Sequence, residues 1–268
     1  MRTVVKGLAL ACHPGPTVAV TALVTAVAWS TGRSPAGCLL VAATILTGHL
    51  SIGWSNDAID AARDTIVNRR DKPVVRGLVS RRTLAVGAGV MLVITVPVSL
   101  ANGFAAGLVH LGFVACAWAY NLGLKSTVIS WLPYAVAFGG LPSFVTLGTA
   151  RVWAPWWATA AGALLGIGAH LANVVPDLAD DLATGVRGWP QRLGRYARLV
   201  APLPLAAATA LLVIAPAGAI GVVGWVALAV VAALLVVILL WRNAPFLVTI
   251  AIAAVSIVSL VLRGHALV

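Results

Sequence analysis

Residues 35–64 read PAGCLLVAATILTGHLSIGWSNDAIDAARD, an apolar run that passes without a break into a row of carboxylates. No Asp, Glu, Lys or Arg occurs from Pro35 to Ser55. A helix needs about 20 apolar residues to cross a hydrocarbon core about 30 Å thick, and this run supplies them. The frame that follows is Asn56-x3-Asp60-x3-Asp64, thickened by Asp57. On a helix, steps of four residues drift by only about 40° each, so the frame lines one face with carboxylates. A membrane-crossing helix that ends in an acidic face is the pattern from which the rest of the chain can be read.

The composition agrees with that class. Of the 268 residues, 61% are hydrophobic and only 9% charged, whereas a soluble domain carries about 25% charge. Nine stretches reach spanning length: 15–31, 35–55, 83–101, 103–121, 127–149, 153–175, 198–215, 218–241 and 244–262. Pro133, Pro142 and Pro155 fall in or beside two of them, and proline is tolerated inside protein-buried spans. The expectation is an all-α polytopic membrane protein, about nine transmembrane helices around a central cavity, with residues 1–268 forming one membrane-embedded domain. Cys12, Cys38 and Cys116 have no metal or redox spacing and read as buried thiols.

A net charge of +11 raises nucleic acid as a partner, but the positions of the basic residues argue against it. With the N-terminus in the cytoplasm, 15 of the 18 basic residues lie inside, leaving Arg33, Arg151 and Arg263 outside. This is the positive-inside pattern, and it places both acidic windows at the cytoplasmic rim of a plasma-membrane protein. Ten tryptophans are present. Trp29, Trp131, Trp153, Trp156, Trp157 and Trp241 fall near span ends as an interfacial belt, whereas Trp54 and Trp118 are nearer the acidic windows and are candidates to line the cavity.

All seven acidic residues are aspartates, confined to Asp57–Asp71 and Asp177–Asp181. The second window repeats the first frame 117 residues later as Asn173-x3-Asp177-x3-Asp181, with Asp180 added. Four expected spans separate the frames, so both lie on one side and can meet around one cavity. Carboxylates at a membrane are costly and usually face a protein cavity. Hard oxygen ligands in two clusters beside cations suit Mg²⁺ bridging the protein to a polyanionic phosphate. A polyprenyl diphosphate satisfies both the charged rim and the apolar interior. Its allylic C–O bond ionises when the leaving diphosphate is neutralised.

These residues carry a resemblance. Asn56-Asp57-x2-Asp60-x3-Asp64, followed by Asn68-Arg69-Arg70-Asp71-Lys72-Pro73, resembles the first motif of the UbiA-type intramembrane prenyltransferase superfamily. Asp177-x2-Asp180-Asp181-x3-Gly185 with Leu193-Gly194 resembles its second motif, and Tyr120-x4-Lys125 its basic element between the fourth and fifth spans. The resemblance implies nine helices around a cavity, Mg²⁺ held by both aspartate motifs, and Asn56, Lys125 and nearby arginines assisting the diphosphate. Two departures stand out. Gly185-Val186-Arg187-Gly188-Trp189 lacks the threonine common after the second motif, and Cys12-His13-Pro14-Gly15-Pro16 lacks the arginine that holds an aromatic acid acceptor. An aromatic acid is therefore disfavoured as acceptor.

The expected roles follow. Asp57, Asp60 and Asp64 hold one metal and Asp177 and Asp181 the other, with Asp180 a ligand or a neighbouring base. Lys125 contacts the diphosphate, and Asn56, Tyr120 and Asn173 line the binding site. Arg63, read as turned away from Asp60, either contacts phosphate or pairs with a neighbouring aspartate. Arg69, Arg70, Lys72 and Arg76 read as topology and lipid-surface charges. His49 and His170 read first as satisfied structural groups, with acceptor contact or proton acceptance as the alternative. The expected activity is transfer of a prenyl group from a polyprenyl diphosphate to a lipophilic acceptor, with release of pyrophosphate. A terpene cyclase of the same fold is the alternative, and a divalent-cation transporter a distant one, since the opposite rim has no acidic residue and transport sites usually lie near the midplane.

Overall fold

The computed structural model describes residues 2–240 and 245–268; Trp241 and Arg242, expected at the inner membrane surface, lie outside the described residues. Among those described there are helices and no strands. The order is α1 (Arg2–Ala11), α2 (Pro14–Ser30), α3 (Pro35–Ile66), α4 (Arg81–Leu100), α5 (Phe104–Leu122), α6 (Leu132–Ala150) and α7 (Trp156–Val174). Short pieces α8 (Leu178–Ala183), α9 (Trp189–Leu193) and α10 (Ala197–Val200) follow, then α11 (Pro202–Ile214), α12 (Val222–Leu240) and α13 (Pro245–Leu262).

Each of the nine apolar stretches holds a helix of its own. By length and composition, four described helices can cross a membrane, or six when each of two bent pairs counts as one span. The nine expected crossings rest on hydropathy alone. Two bends separate the counts of four and six. The first pair bends by 59° between Ala11 and Pro14 and the second by 58° between Val200 and Pro202. At the first bend His13 has φ 54°, where the following proline disfavours the helical region.

Helix α3 has 32 residues, so at 1.5 Å per residue it is roughly 48 Å long. That exceeds a hydrocarbon core of about 30 Å, and the surplus is the part bearing the aspartate frame. Ser34 caps its start, accepting from the Gly37 N–H at 3.2 Å, with Pro35 fitting the first turn. Past the other end, Asn68 at φ 53° turns the chain away, a conformation asparagine tolerates better than most residues.

Helices α6 and α7 pack through glycines. A Cβ at Gly162 would meet the Phe138 carbonyl and lie 3.1 Å from Gly139 Cα, and one at Gly166 would lie 2.7 Å from the Tyr134 carbonyl carbon. Small residues let helix backbones approach closely where lipid provides no hydrophobic drive for association. This approach sets Tyr134 against His170, ring centroids 4.8 Å apart. The expected span 127–149 begins as a helix only at Leu132, because Pro133 suits a first helical turn. Between α2, α3 and α13 runs an apolar groove of ≈ 750 Å³, touched by Thr17, Thr21, Trp29, Leu46 and Val261.

Candidate active site

The first frame sits on uninterrupted α3, as its spacing predicts. The second does not share that geometry. After Val174 the helix tightens into a 3₁₀ turn over Val175–Asp177 before α8 resumes. Pro176 lies in that turn, and its missing N–H and ring clash disfavour a regular helix through it. The two frames are thus alike in chemistry and unlike in backbone.

Arginines join them. Arg63 donates to Asp60 at 2.9 Å and lies 3.9 Å from Asp64 and 3.8 Å from Asp181. Its i,i+3 relation to Asp60 makes the two helical neighbours, which corrects the expectation that Arg63 is turned away. Arg69 donates to Asp177 at 3.0 Å and to Asp71 at 2.9 Å. Burial works against the Arg69 charge, but these two carboxylates outweigh it and raise its pKa above the ordinary value. Burial likewise pushes Asp71 up, while Arg69 more than offsets it and holds that carboxyl below its usual range.

Asp60 is the most heavily contacted carboxylate of the frames. It accepts from Arg63, from Lys125 Nζ and, at 3.3 Å, from Asn56 Nδ2. Lys125 stands on a 3₁₀ turn, Leu124–Ser126. Burial pulls its pKa below the ordinary lysine value despite Asp60 beside it. Asn56 also donates to Asn121 Oδ1 at 3.2 Å, and Asn121 in turn donates to Ser55 Oγ and the Ile52 carbonyl at 2.9 and 3.0 Å. Asn121 was not singled out by motif. Its position one residue after Tyr120 was the only signal.

Asp57 faces a different group. Lys72 donates to its Oδ1 at 2.7 Å, and His13 Nε2 lies 3.1 Å from the same oxygen. Lys72 and Arg69 are therefore part of the site and not merely topology signals; Arg70 and Arg76 are exposed, as a surface role predicts. His13 escaped the sequence reading because it reaches Asp57 only through the chain turn at Pro14. A buried pair that loses one partner leaves an uncompensated charge, which costs about 3–5 kcal/mol. Lys72→Met is expected to lower thermal stability in detergent accordingly, and Asp57→Leu with Lys72→Met to recover most of it. An unchanged melting temperature in Lys72→Met would dismiss the pair as structural.

The remaining expected residues divide. Asp181 accepts from Gln191 Nε2 at 2.8 Å, a partner no motif indicated. Asp180 is exposed and its side chain makes no hydrogen bond or ion pair. Asn173 donates to the Tyr134 hydroxyl at 3.3 Å, away from the carboxylates. Tyr120 packs edge-on to Tyr134 and His170, centroids 5.4 and 5.7 Å away. His49 bonds the Ile45 carbonyl at 3.0 Å, one turn back on its own helix. Trp54 donates to the Leu8 carbonyl at 2.9 Å and lies over Gly87, so it ties α3 to α1 and α4. Trp118 donates to Ser51 Oγ at 3.1 Å, within the α3–α5 contact.

Among the described residues no three His, Cys, Asp or Glu side chains converge as a ready-made metal group. Cations stand between the aspartates instead. Both oxygens of Asp64 and Oδ2 of Asp57 are nevertheless buried without a hydrogen-bond partner. Orphaned buried carboxylate oxygens are costly. They fit a divalent cation that binds through one or two carboxylates and takes its other ligands from water and phosphate.

The model of the UbiA prenyltransferase family matches residues 18–262. The chain belongs to the UbiA prenyltransferase family. No curated protein is similar enough in sequence to count as a relative. Among solved structures, a UbiA homolog from Aeropyrum pernix K1 superposes with a TM-score of 0.73 at 19% identity, covering 93% of this chain and 98% of that one. A UbiA homolog from Archaeoglobus fulgidus bound to GPP and Mg²⁺ gives 0.71 at 17% identity, covering 97% and 98%. A structure described for digeranylgeranylglyceryl phosphate synthase gives 0.71 at 14% identity, covering 100% of both chains. At these identities the likeness is one of fold, and this UbiA family chain shares the helical arrangement.

Proposed function

We propose that this UbiA family chain is a Mg²⁺-dependent membrane prenyltransferase, taking a polyprenyl diphosphate as donor and a lipophilic molecule as acceptor. The observation that carries the reading is the meeting of the two aspartate frames through Arg63 and Arg69, beside the Asp64 carboxylate, whose buried oxygens make no hydrogen bond. A Mg²⁺ and GPP complex of a homolog with the same fold supports it. Asp57, Asp60 and Asp64 are the residues to hold one metal and Asp177 and Asp181 the other, with Asp57 also tied to Lys72. When bound, Mg²⁺ supplies charge neutralisation of the diphosphate.

Lys125, Arg63 and Arg69 would be the cations to face the phosphate oxygens of a bound diphosphate, for which arginine's planar fork is suited. The allylic C–O bond breaks with its electron pair remaining on the diphosphate. The acceptor's nucleophilic atom forms the new bond to carbon and gives up its proton. Tyr120 and Tyr134 offer aromatic faces beside this rim, where a carbocation gains from ring quadrupoles and exclusion of water. The distribution of basic residues supports an N-terminus and rim on the cytoplasmic side, in a plasma-membrane protein on this reading. Residues 1–268 act as one membrane-embedded unit in this reading.

The test incubates the purified protein with labelled prenyl diphosphates of graded length and a membrane extract, with Mg²⁺ or with chelator. Chelator-sensitive release of pyrophosphate is expected, together with a prenylated lipid. Absence of such release across the series overturns the proposal, and a terpene product formed without extract would reassign the chain as a cyclase.

A further inference from the structure

Beneath the aspartates lies a polar group that the ionisation chemistry does not use. His170 on α7 is 1% exposed and precedes Asp177 by seven residues, about two helical turns or roughly 10 Å along the axis. Its Nε2 lies 3.1 Å from Ser130 Oγ. Ser130 is fully buried, and its Oγ also accepts the Trp189 backbone N–H at 2.9 Å. His170 Nδ1 is buried with no hydrogen-bond partner.

Counting protons determines what that atom is. A serine hydroxyl has one proton and two lone pairs. If Ser130 donates to Nε2, every polar atom of the pair is satisfied except one Nδ1–H. If Nε2–H donates to Ser130 instead, both the serine proton and the Nδ1 lone pair are left bare. The first arrangement orphans one group and the second two, and buried orphans are rare. His170 is therefore the neutral Nδ1–H tautomer, with a donor awaiting an acceptor atom.

The surroundings say what kind of atom. The His170 ring is flanked by Tyr134 at 4.8 Å and Tyr120 at 5.7 Å, and Phe138 stacks on Tyr134 at 6.5 Å. Tyr120 lies five residues before Lys125, which bonds Asp60, so the cluster adjoins the aspartate rim. One buried donor inside an aromatic wall selects a single oxygen on an otherwise apolar body.

We propose that His170 Nδ1–H binds the hydroxyl oxygen of the prenyl acceptor, making His170 an acceptor-binding residue for lipid alcohols or phenols. The inference rests on the prenyltransferase reading and narrows its acceptor class. It is a binding contact and not a proton transfer, because neutral His170 with Nε2 engaged has no free lone pair.

The test has two arms. In the full chain in lipid nanodiscs with ¹⁵N-labelled histidine, His170 assigned by loss of its signals in His170→Phe is expected as the Nδ1–H tautomer. Its Nδ1 resonance should move on adding dodecan-1-ol and not on adding dodecane. In the second arm, with labelled GPP and membrane extract, His170→Phe should cut the ratio of prenylated lipid to water-captured prenyl alcohol about tenfold, the scale of one lost hydrogen bond. His170→Asn, whose amide falls near the Nδ1 position, should restore most of that ratio. Pyrophosphate release is measured in parallel in both variants, so that the product ratio is read per diphosphate consumed. An Nε2–H tautomer, equal response to the two probes, or an unchanged product ratio in His170→Phe overturns the proposal. A hydroxyl-selective shift without chelator-sensitive pyrophosphate release would instead sink the transferase reading and leave the hydroxyl contact standing.

Discussion

Asp60→Ala and Asp177→Ala are each expected to lower pyrophosphate release by about 10²- to 10³-fold, the loss typical of removing one preorganised charge-stabilising group. Asp60 has the larger expected effect because three groups converge on it: Arg63, Lys125 and Asn56. Removing its carboxylate frees two cations and an amide at once, so the cluster that should meet the diphosphate loses its common anchor. Asp177 acts through Arg69, at 3.0 Å, and is joined to the rest of the site by that guanidinium. The double variant should fall little further than the worse single one, since both carboxylates serve the same leaving group. Steady-state pyrophosphate release with monodisperse detergent-solubilised protein provides the check. Turnover in Asp60→Ala equal to the parent would remove that residue from the site. Mg²⁺ flux into liposomes lost in both variants, with turnover intact, would favour the transporter.

Lys125→Met should separate function from stability. The lysine is 12% exposed at its side chain, and burial draws its pKa below the ordinary 10.5, with Asp60 pulling the other way. A lysine whose folded pKa lies below its unfolded value costs stability at every pH below the folded value. That cost fades as pH rises from the folded value toward 10.5. Methionine removes it while filling similar volume, and Asp60 keeps Arg63 and Asn56 as partners. Melting temperature at neutral pH is therefore expected to hold or rise, with the gain shrinking under alkaline conditions, while pyrophosphate release drops about 10²-fold. Thermal unfolding and turnover measured on the same preparation test this. A destabilised variant that retains turnover would make Lys125 a structural residue.

Both expectations lean on residues that were legible as motif, and neither could be framed from motif alone. Asn56, Asp60 and Asp64 follow from four-residue spacing on a run too apolar to be anything but a membrane helix, and α3 carries them as that spacing requires. The second frame has the same spacing, yet Pro176 breaks its helix into a 3₁₀ turn. Asp180, adjacent to Asp181 in sequence, ends exposed. Arg69 and Lys72 looked like surface charges because basic residues in loops usually are.

The amino-acid sequence by itself determined the helical membrane class, the two acidic windows, and, through the distribution of its basic residues, the rim they are expected to share. Hydropathy and residue spacing suffice for this, because a helix's own axis decides which side chains share a face. Tertiary structure alone decided which cation reaches which carboxylate: Lys72 and His13 to Asp57, Lys125 to Asp60, Arg69 to Asp177, Gln191 to Asp181. Those pairings depend on where loops and chain turns close. Periodicity along one helix carries no information about the rotation or depth of its neighbour.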